Sequence, residues 1–137
     1  MYSSISRGDI TLSAPRFFAP PALTLSSRQD SCRDFAVLFI EACRYLGLAS
    51  RFVSGYLDIS VTTNGHASTH AWDEIYLPGP GWKGFDPTSG VLTDNRHIPV
   101  AVSRHPEAVP PVAGSFTGPA GVRPVPRVSV RVAAIDQ

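Results

Sequence analysis

Only two of the 137 residues are cysteine and only one is methionine. Two cysteines cannot build a disulfide scaffold, and their placement is not that of a zinc site. Neither sign of charge is in excess: 12 basic side chains face 11 acidic ones, net +1. Such a balance gives no electrostatic hold on nucleic acid or an anionic membrane, so neither is expected as a partner. No apolar run approaches the roughly 18 residues of a membrane-spanning helix. The first residues lack the basic start, apolar stretch and cleavage site of a secretory signal, which makes a cytoplasmic location the expectation. Glycine-rich phosphate loops and calcium-loop spacings are missing too.

What remains is a chain of single-domain length with 43% apolar residues, enough for a modest core. Residues 1–29 are rich in serine and proline without a period, and read as an irregular N-terminal arm. Residues 30–137 read as the core. Asp30 and Ser31 are good helix caps. Phe35, Leu38, Phe39, Ala42 and Leu46 then recur at helical spacing, and Gly47 ends the pattern. The spacing predicts a helix over 32–46 with that stripe buried. Arg51–Leu57 predicts a strand, Asp58–Thr69 a polar hairpin tip, His70–Leu77 a second strand and Trp82–Asp86 a third, behind the turn Pro78-Gly79-Pro80-Gly81. Seven of the thirteen prolines lie between Pro99 and Pro126, which reads as a proline-rich return over the surface. Arg127–Ala133 alternates and predicts a C-terminal strand.

The chemistry centres on Cys32. A cysteine in the first turn of a helix meets unpaired N–H groups and the positive end of the dipole, which favour thiolate. Cys43 lies mid-helix among apolar neighbours and reads as an inert core residue. At about 1.5 Å of rise per residue the two are about 16 Å apart on one helix, too far to bridge.

A nucleophilic thiol needs a base, and the base needs a group to orient it. His70 opens one predicted strand and Asp86 closes the next. Whether they share a face depends on the hairpin. A four-residue turn pairing Leu77 with Trp82 puts them on opposite faces, whereas an odd loop or a bulge brings them together. A Cys32–His70–Asp86 site therefore predicts a five-residue loop or a bulge. His66, His97 and His105 read as surface or structural residues, with no metal-ligand spacing to a third group. Asp73, Glu74 and Glu107 read as solvated, and Trp72 and Trp82 as core or cleft walls.

Four segments in this order resemble the bacterial transglutaminase-like family: Ser31-Cys32-Arg33-Asp34-Phe35-Ala36, Leu46 to Tyr56 with its Gly55-Tyr56 pair, His70-Ala71-Trp72, and Gly81-Trp82-Lys83-Gly84-Phe85-Asp86-Pro87-Thr88. The resemblance covers residues 30–105. It implies an α+β, papain-like core in which a helix bearing the nucleophile packs on an antiparallel β-sheet. It carries over Cys32 as nucleophile, His70 as general base and acid, and Asp86 as the residue orienting the imidazole. It implies acyl transfer or hydrolysis at amide bonds through a thioester on Cys32. The substrate is then a protein or peptide carrying a side-chain or backbone amide, the acceptor is an amine or water, and no cofactor or metal is needed. Two departures accompany it. Asp30 stands where the family has glycine, and a carboxylate there opposes thiol ionisation. Residues 1–29 show no counterpart of the family's preceding helices, so an N-terminal truncation is part of the expectation. The alternative reading is a catalytically incomplete transglutaminase-like remnant or interaction module.

Overall fold

The computed structural model describes residues 19–27, 31–59, 66–114, 117–119, 121, 125 and 128–133. Asp30 lies outside them, so its effect on the thiol is outside what is described. Among the described residues two helices, α1 (Pro21–Ser27) and α2 (Cys32–Tyr45), precede six strands: β1 (Ser50–Asp58), β2 (His66–Leu77), β3 (Gly81–Asp86), β4 (Val91–Leu92), β5 (His97–Ser103) and β6 (Val130–Arg131). Among the described residues no helix is long and apolar enough to cross a membrane.

Helix α1 shows that Pro21–Ser27, within the arm read as irregular, is helical, while residues 1–18 and 28–29 of that arm lie outside the described residues. Pro21 is its first residue, where a proline costs nothing because that N–H has no helical partner. Thr24 is buried, and the Ala19 N–H donates to the Asp34 carboxylate, so this segment is attached to α2.

Helix α2 begins with a reciprocal cap. The Ser31 hydroxyl accepts from the Asp34 N–H, and the Asp34 carboxylate accepts from the Ser31 N–H at 2.9 Å. Its buried face is Arg33, Asp34, Ala36, Val37, Ile40 and Cys43. The expected stripe is therefore rotated: Phe35, Leu38 and Phe39 are half-buried flanks, and Ala42 and Leu46 are exposed. The small Ala36 lets the helix come close to the sheet, while the larger side chains spread to either side. Phe39 packs beside Phe85 with ring centroids 5.8 Å apart.

The sheet runs β4-β3-β2-β1-β5, with β6 paired to the start of β2, and every pair is antiparallel. Phe52 and Ala71 face α2 and join Ala36, Val37 and Ile40 in the core. The proline-rich return hides a strand that the sequence reading missed. Pro99 sits in β5 at a register shift opposite Gly55, on the edge of the sheet, where a missing N–H breaks no ladder. Strand β2 starts at His66, four residues earlier than expected, and the C-terminal strand is only Val130–Arg131 among the described residues.

The β2–β3 hairpin decides the site. Leu77 pairs with Gly81, which leaves a loop of residues 78–80. The loop is odd, as a shared face for His70 and Asp86 requires, but it has three residues rather than five. Gly79 and Gly81 adopt positive φ, 95° and 75°, which makes so tight a connection possible. With Asp73 opposite Phe85, Asp86 falls level with Trp72, on the face that also carries His70.

Candidate active site

Cys32 is the first residue of α2 and packs against the edge of the core. Its sulfur hydrogen-bonds to His70 and accepts from the N–H groups of Ala71 and Arg33. The Ala71 contact uses a stretch of β2 between its pairing with β6, which ends at Ala67, and with β3, which starts at Asp73. Burial is the largest influence on the thiol and pushes its pKa up. The His70 hydrogen bond and charge, with the two backbone donors, outweigh it, and the pKa falls below the ordinary value.

The His70 Nε2 lies 2.9 Å from Asp86 Oδ2, and the His70 side chain is 8% exposed. Because Nε2 is taken by the carboxylate, Nδ1 is the nitrogen left for the thiol. Burial works against a charged imidazole, but Cys32 and Asp86 together raise the His70 pKa. Asp86 is itself well held. Its Oδ1 accepts the Thr88 N–H at 3.0 Å and its Oδ2 accepts the Ser89 hydroxyl at 2.7 Å. Burial pushes its pKa up, yet His70, Ser89 and His97 bring it down to about 2.

His97, read as a surface or structural residue, is not at the surface. It is buried, with Nε2 3.3 Å from Asp86 Oδ2 and Nδ1 3.0 Å from Asp94 Oδ1. The signal for it was Asp94-Asn95-Arg96-His97, an Asp-led turn feeding an alternating run. Nothing local could show that this run crosses to Asp86. The ligand atoms of His70, Asp86 and His97 lie within 4.8 Å of one another. The metal-spacing reading concerned pairs among His66, His97 and His105, and this cluster joins His97 to His70 instead.

Trp72 is buried and packs beside both histidines, its ring centroid 6.2 Å from that of His70 and 5.3 Å from that of His97. Trp82 is not core: it is 41% exposed, under the Arg51 guanidinium and against Tyr76. Asp73 is not solvated but fully buried, whereas Glu74 is paired with Arg51 at 2.6 Å. His105 and Glu107 are exposed as read. His66 pairs with Arg131 through the backbone, and its side chain lies outside what is described. Cys43 is buried and both cysteines are free, as read.

The sequence pattern of the Transglutaminase-like superfamily matches residues 9–87, more than half of the chain. The chain belongs to the transglutaminase-like superfamily. The match starts well before Cys32, so residues 9–29, read as foreign to the family, fall within it. An uncharacterized protein of Mycobacterium tuberculosis is 40% identical over 99 residues, covering 66% of this chain and 32% of that protein. An uncharacterized protein of Mycobacterium leprae is 35% identical over 91 residues, covering 64% and 32%. The crystal structure of a candidate cysteine protease from Cytophaga hutchinsonii matches with a TM-score of 0.53 and 30% identity, over 69% of this chain and 30% of that one. The chain thus spans about a third of the length of the mycobacterial relatives. Its transglutaminase-like core places it among cysteine enzymes by kind, with an α+β architecture shared with the Cytophaga protein.

Proposed function

We propose that this transglutaminase-like chain carries out thiol-dependent acyl transfer or hydrolysis at amide bonds of a protein or peptide. The observation that carries the reading is the unbroken hydrogen-bonded line from Cys32 through His70 to Asp86. In this mechanism His70 Nδ1 takes the Cys32 proton, and the thiolate attacks the amide carbonyl. Asp86 holds the ring with its proton on Nε2 and stabilises the imidazolium that forms. The Cys32 N–H, at the first helical position, has no intrahelical acceptor and faces the developing oxyanion. The His70 imidazolium then returns its proton to the leaving nitrogen as the C–N bond breaks, which leaves a thioester. An amine or water, deprotonated by His70, attacks the thioester and frees the thiol.

The test begins with Cys32 itself. Its iodoacetamide labelling is followed against pH by peptide mass spectrometry, in the native protein and in His70→Ala. The proposal expects reaction well below the ordinary thiol pKa of about 8.5 and loss of that advantage in the variant. Dimethylcasein and monodansylcadaverine then separate the acceptors: fluorescent casein means transfer to amines, and ammonia released without the amine being incorporated, or new N-termini, mean hydrolysis. An ordinary thiol profile in both proteins would sink the proposal and leave the reading of a non-catalytic module.

A further inference from the structure

Among the described residues, the donors to Asp86 fall into two groups. Thr88 and Ser89 come from its own turn, within three residues of it. They hold the carboxylate relative to β3 and nothing else. His70 and His97 come from other strands, β2 and β5. His70 is the group to be oriented, so it cannot also be the reference that orients it. His97 is the remaining long-range donor. We propose that His97 is a positioning residue, a second imidazole that fixes the Asp86 carboxylate and, through it, the His70 ring. This rests on the catalytic reading of Cys32 and His70 given above.

The setting of His97 is built for one job. The His97 N–H donates to the Asp94 carbonyl at 3.0 Å, closing a tight turn. Asp94 Oδ1 accepts the Arg96 N–H at 3.0 Å, and Oδ2 accepts from Arg96 Nε at 2.9 Å, so its carboxylate is pinned. The Asp94 N–H points at His97 Nδ1 from 3.2 Å, and Oδ1 lies 3.0 Å from the same nitrogen. In a neutral ring Nδ1 accepts from that N–H and the proton sits on Nε2. In a charged ring both nitrogens carry protons, and Nδ1 donates to Oδ1. Either state aims an Nε2–H at Asp86. The remaining tautomer would turn a bare lone pair on the carboxylate at 3.3 Å.

The reach depends on a glycine. His97 pairs with Leu57 on β1, one strand beyond β2 and two beyond β3, and its ring crosses this face toward Asp86. Trp72 fills the space beside it, edge-on at 5.3 Å. A Cβ on Gly55 would run into the Ile98 carbonyl and come within 2.7 Å of the Trp72 ring. Gly55 thereby allows β5, and His97 with it, to lie close enough. The ionisable groups facing His97 are Asp86 from β3, His70 from β2 and Asp94 from its own turn.

Two variants separate positioning from packing. His97→Phe keeps a ring against Trp72 but has no donor, and His97→Gln supplies an amide N–H. The readout is the pH midpoint of Cys32 labelling by iodoacetamide, with thermal melting in parallel. His97→Phe is expected to raise the midpoint by about one unit, about tenfold slower labelling below it, with His97→Gln shifted by less than half as much. Ile40→Val, a core change on the other face of the sheet, lowers the melting temperature without moving the midpoint. A poised wild-type thiol with an unchanged midpoint in His97→Phe overturns the inference, as does an equal shift in both variants, because packing alone would then explain His97. A wild-type thiol that is not poised is a different result: it removes the catalytic reading, and this inference with it.

Discussion

Two aspartates lie buried on neighbouring strands, and their environments drive them in opposite directions. Asp86, 2% exposed, carries four donors on its two oxygens, and its pKa falls to about 2. Asp73, with no exposed surface, has no hydrogen-bond partner on either oxygen among the described residues. Burial first, and then the negative Asp86, push its pKa up to about 9, with Arg44 opposing. Burial is common to both residues. What separates them is the face of the sheet. Asp86 faces the layer of His70, Trp72 and His97, whereas Asp73 faces the apolar packing of α2. A buried carboxylate keeps its charge only where donors surround it. The protein has put donors around Asp86 and none around Asp73 among the described residues.

Removing the charge from the supplied side should have the largest effect. Asp86→Ala strands the Nε2–H groups of His70 and His97, the Ser89 hydroxyl and the Thr88 N–H around a vacated site. The expected loss is about 3–5 kcal/mol of unfolding free energy, read by urea denaturation at pH 7. Because the folded pKa lies below the unfolded one, this contribution is intact above about pH 4 and fades as pH falls toward 2. Wild type and variant should therefore converge in acid. Curves that stay parallel down to that pH would mean the carboxylate is not the acceptor the geometry makes it.

The dry side should respond with the opposite sign and a smaller size. Asp73 is protonated in the folded protein at pH 7, while in the unfolded chain it ionises near pH 3.9. The folded state binds the extra proton, so this contribution is complete below about pH 4 and is lost as pH rises toward 9. Asp73→Asn removes the ionisable group at nearly constant volume. It is expected to stabilise the protein by about 1–3 kcal/mol at pH 8, and to flatten the fall of melting temperature between pH 4 and 9. A variant less stable than wild type at pH 8 would break the comparison.

How much of this could be read from the sequence follows the range of the interactions. Helix α2, its Ser31 cap and β1 to β3 are local patterns, and they stand within a few residues of where periodicity put them. Cys32 and Asp86 sit at the ends of α2 and β3, where the patterns put them, His70 lies inside β2 rather than at its start, and the parity of one hairpin loop brings His70 and Asp86 to one face. Which side of α2 is buried was not readable. Phe35, Phe39 and Leu46 make the larger apolar stripe, but the sheet accepts the narrower Ala36 and Ile40 side. Strand β5 was hidden by Pro99, since only the finished topology shows that it occupies an edge. His97 was hidden with it. Asp73 looks like any polar strand residue until α2 covers it.

The smallest expected change tests whether Asp73 is as bare as it looks. Cys43 lies near it on α2, and burial, then the Asp73 charge, raise its thiol pKa. A thiol is a weak donor, and one aimed at Asp73 would supply part of what the carboxyl lacks. Neither Asp73 oxygen has a hydrogen-bond partner among the described residues, Cys43 included, which speaks against such a contact. Cys43→Ala should then remove one buried sulfur and little else, costing about 1 kcal/mol. Its melting temperature should run parallel to wild type from pH 4 to 9. A steeper fall on the alkaline side would mean that the thiol was holding the Asp73 charge, and that this carboxyl is not bare. The same variant leaves Cys32 as the one thiol in the chain. Its labelling profile should overlay that of the wild-type Cys32 peptide, because Cys43 lies about 16 Å further along α2.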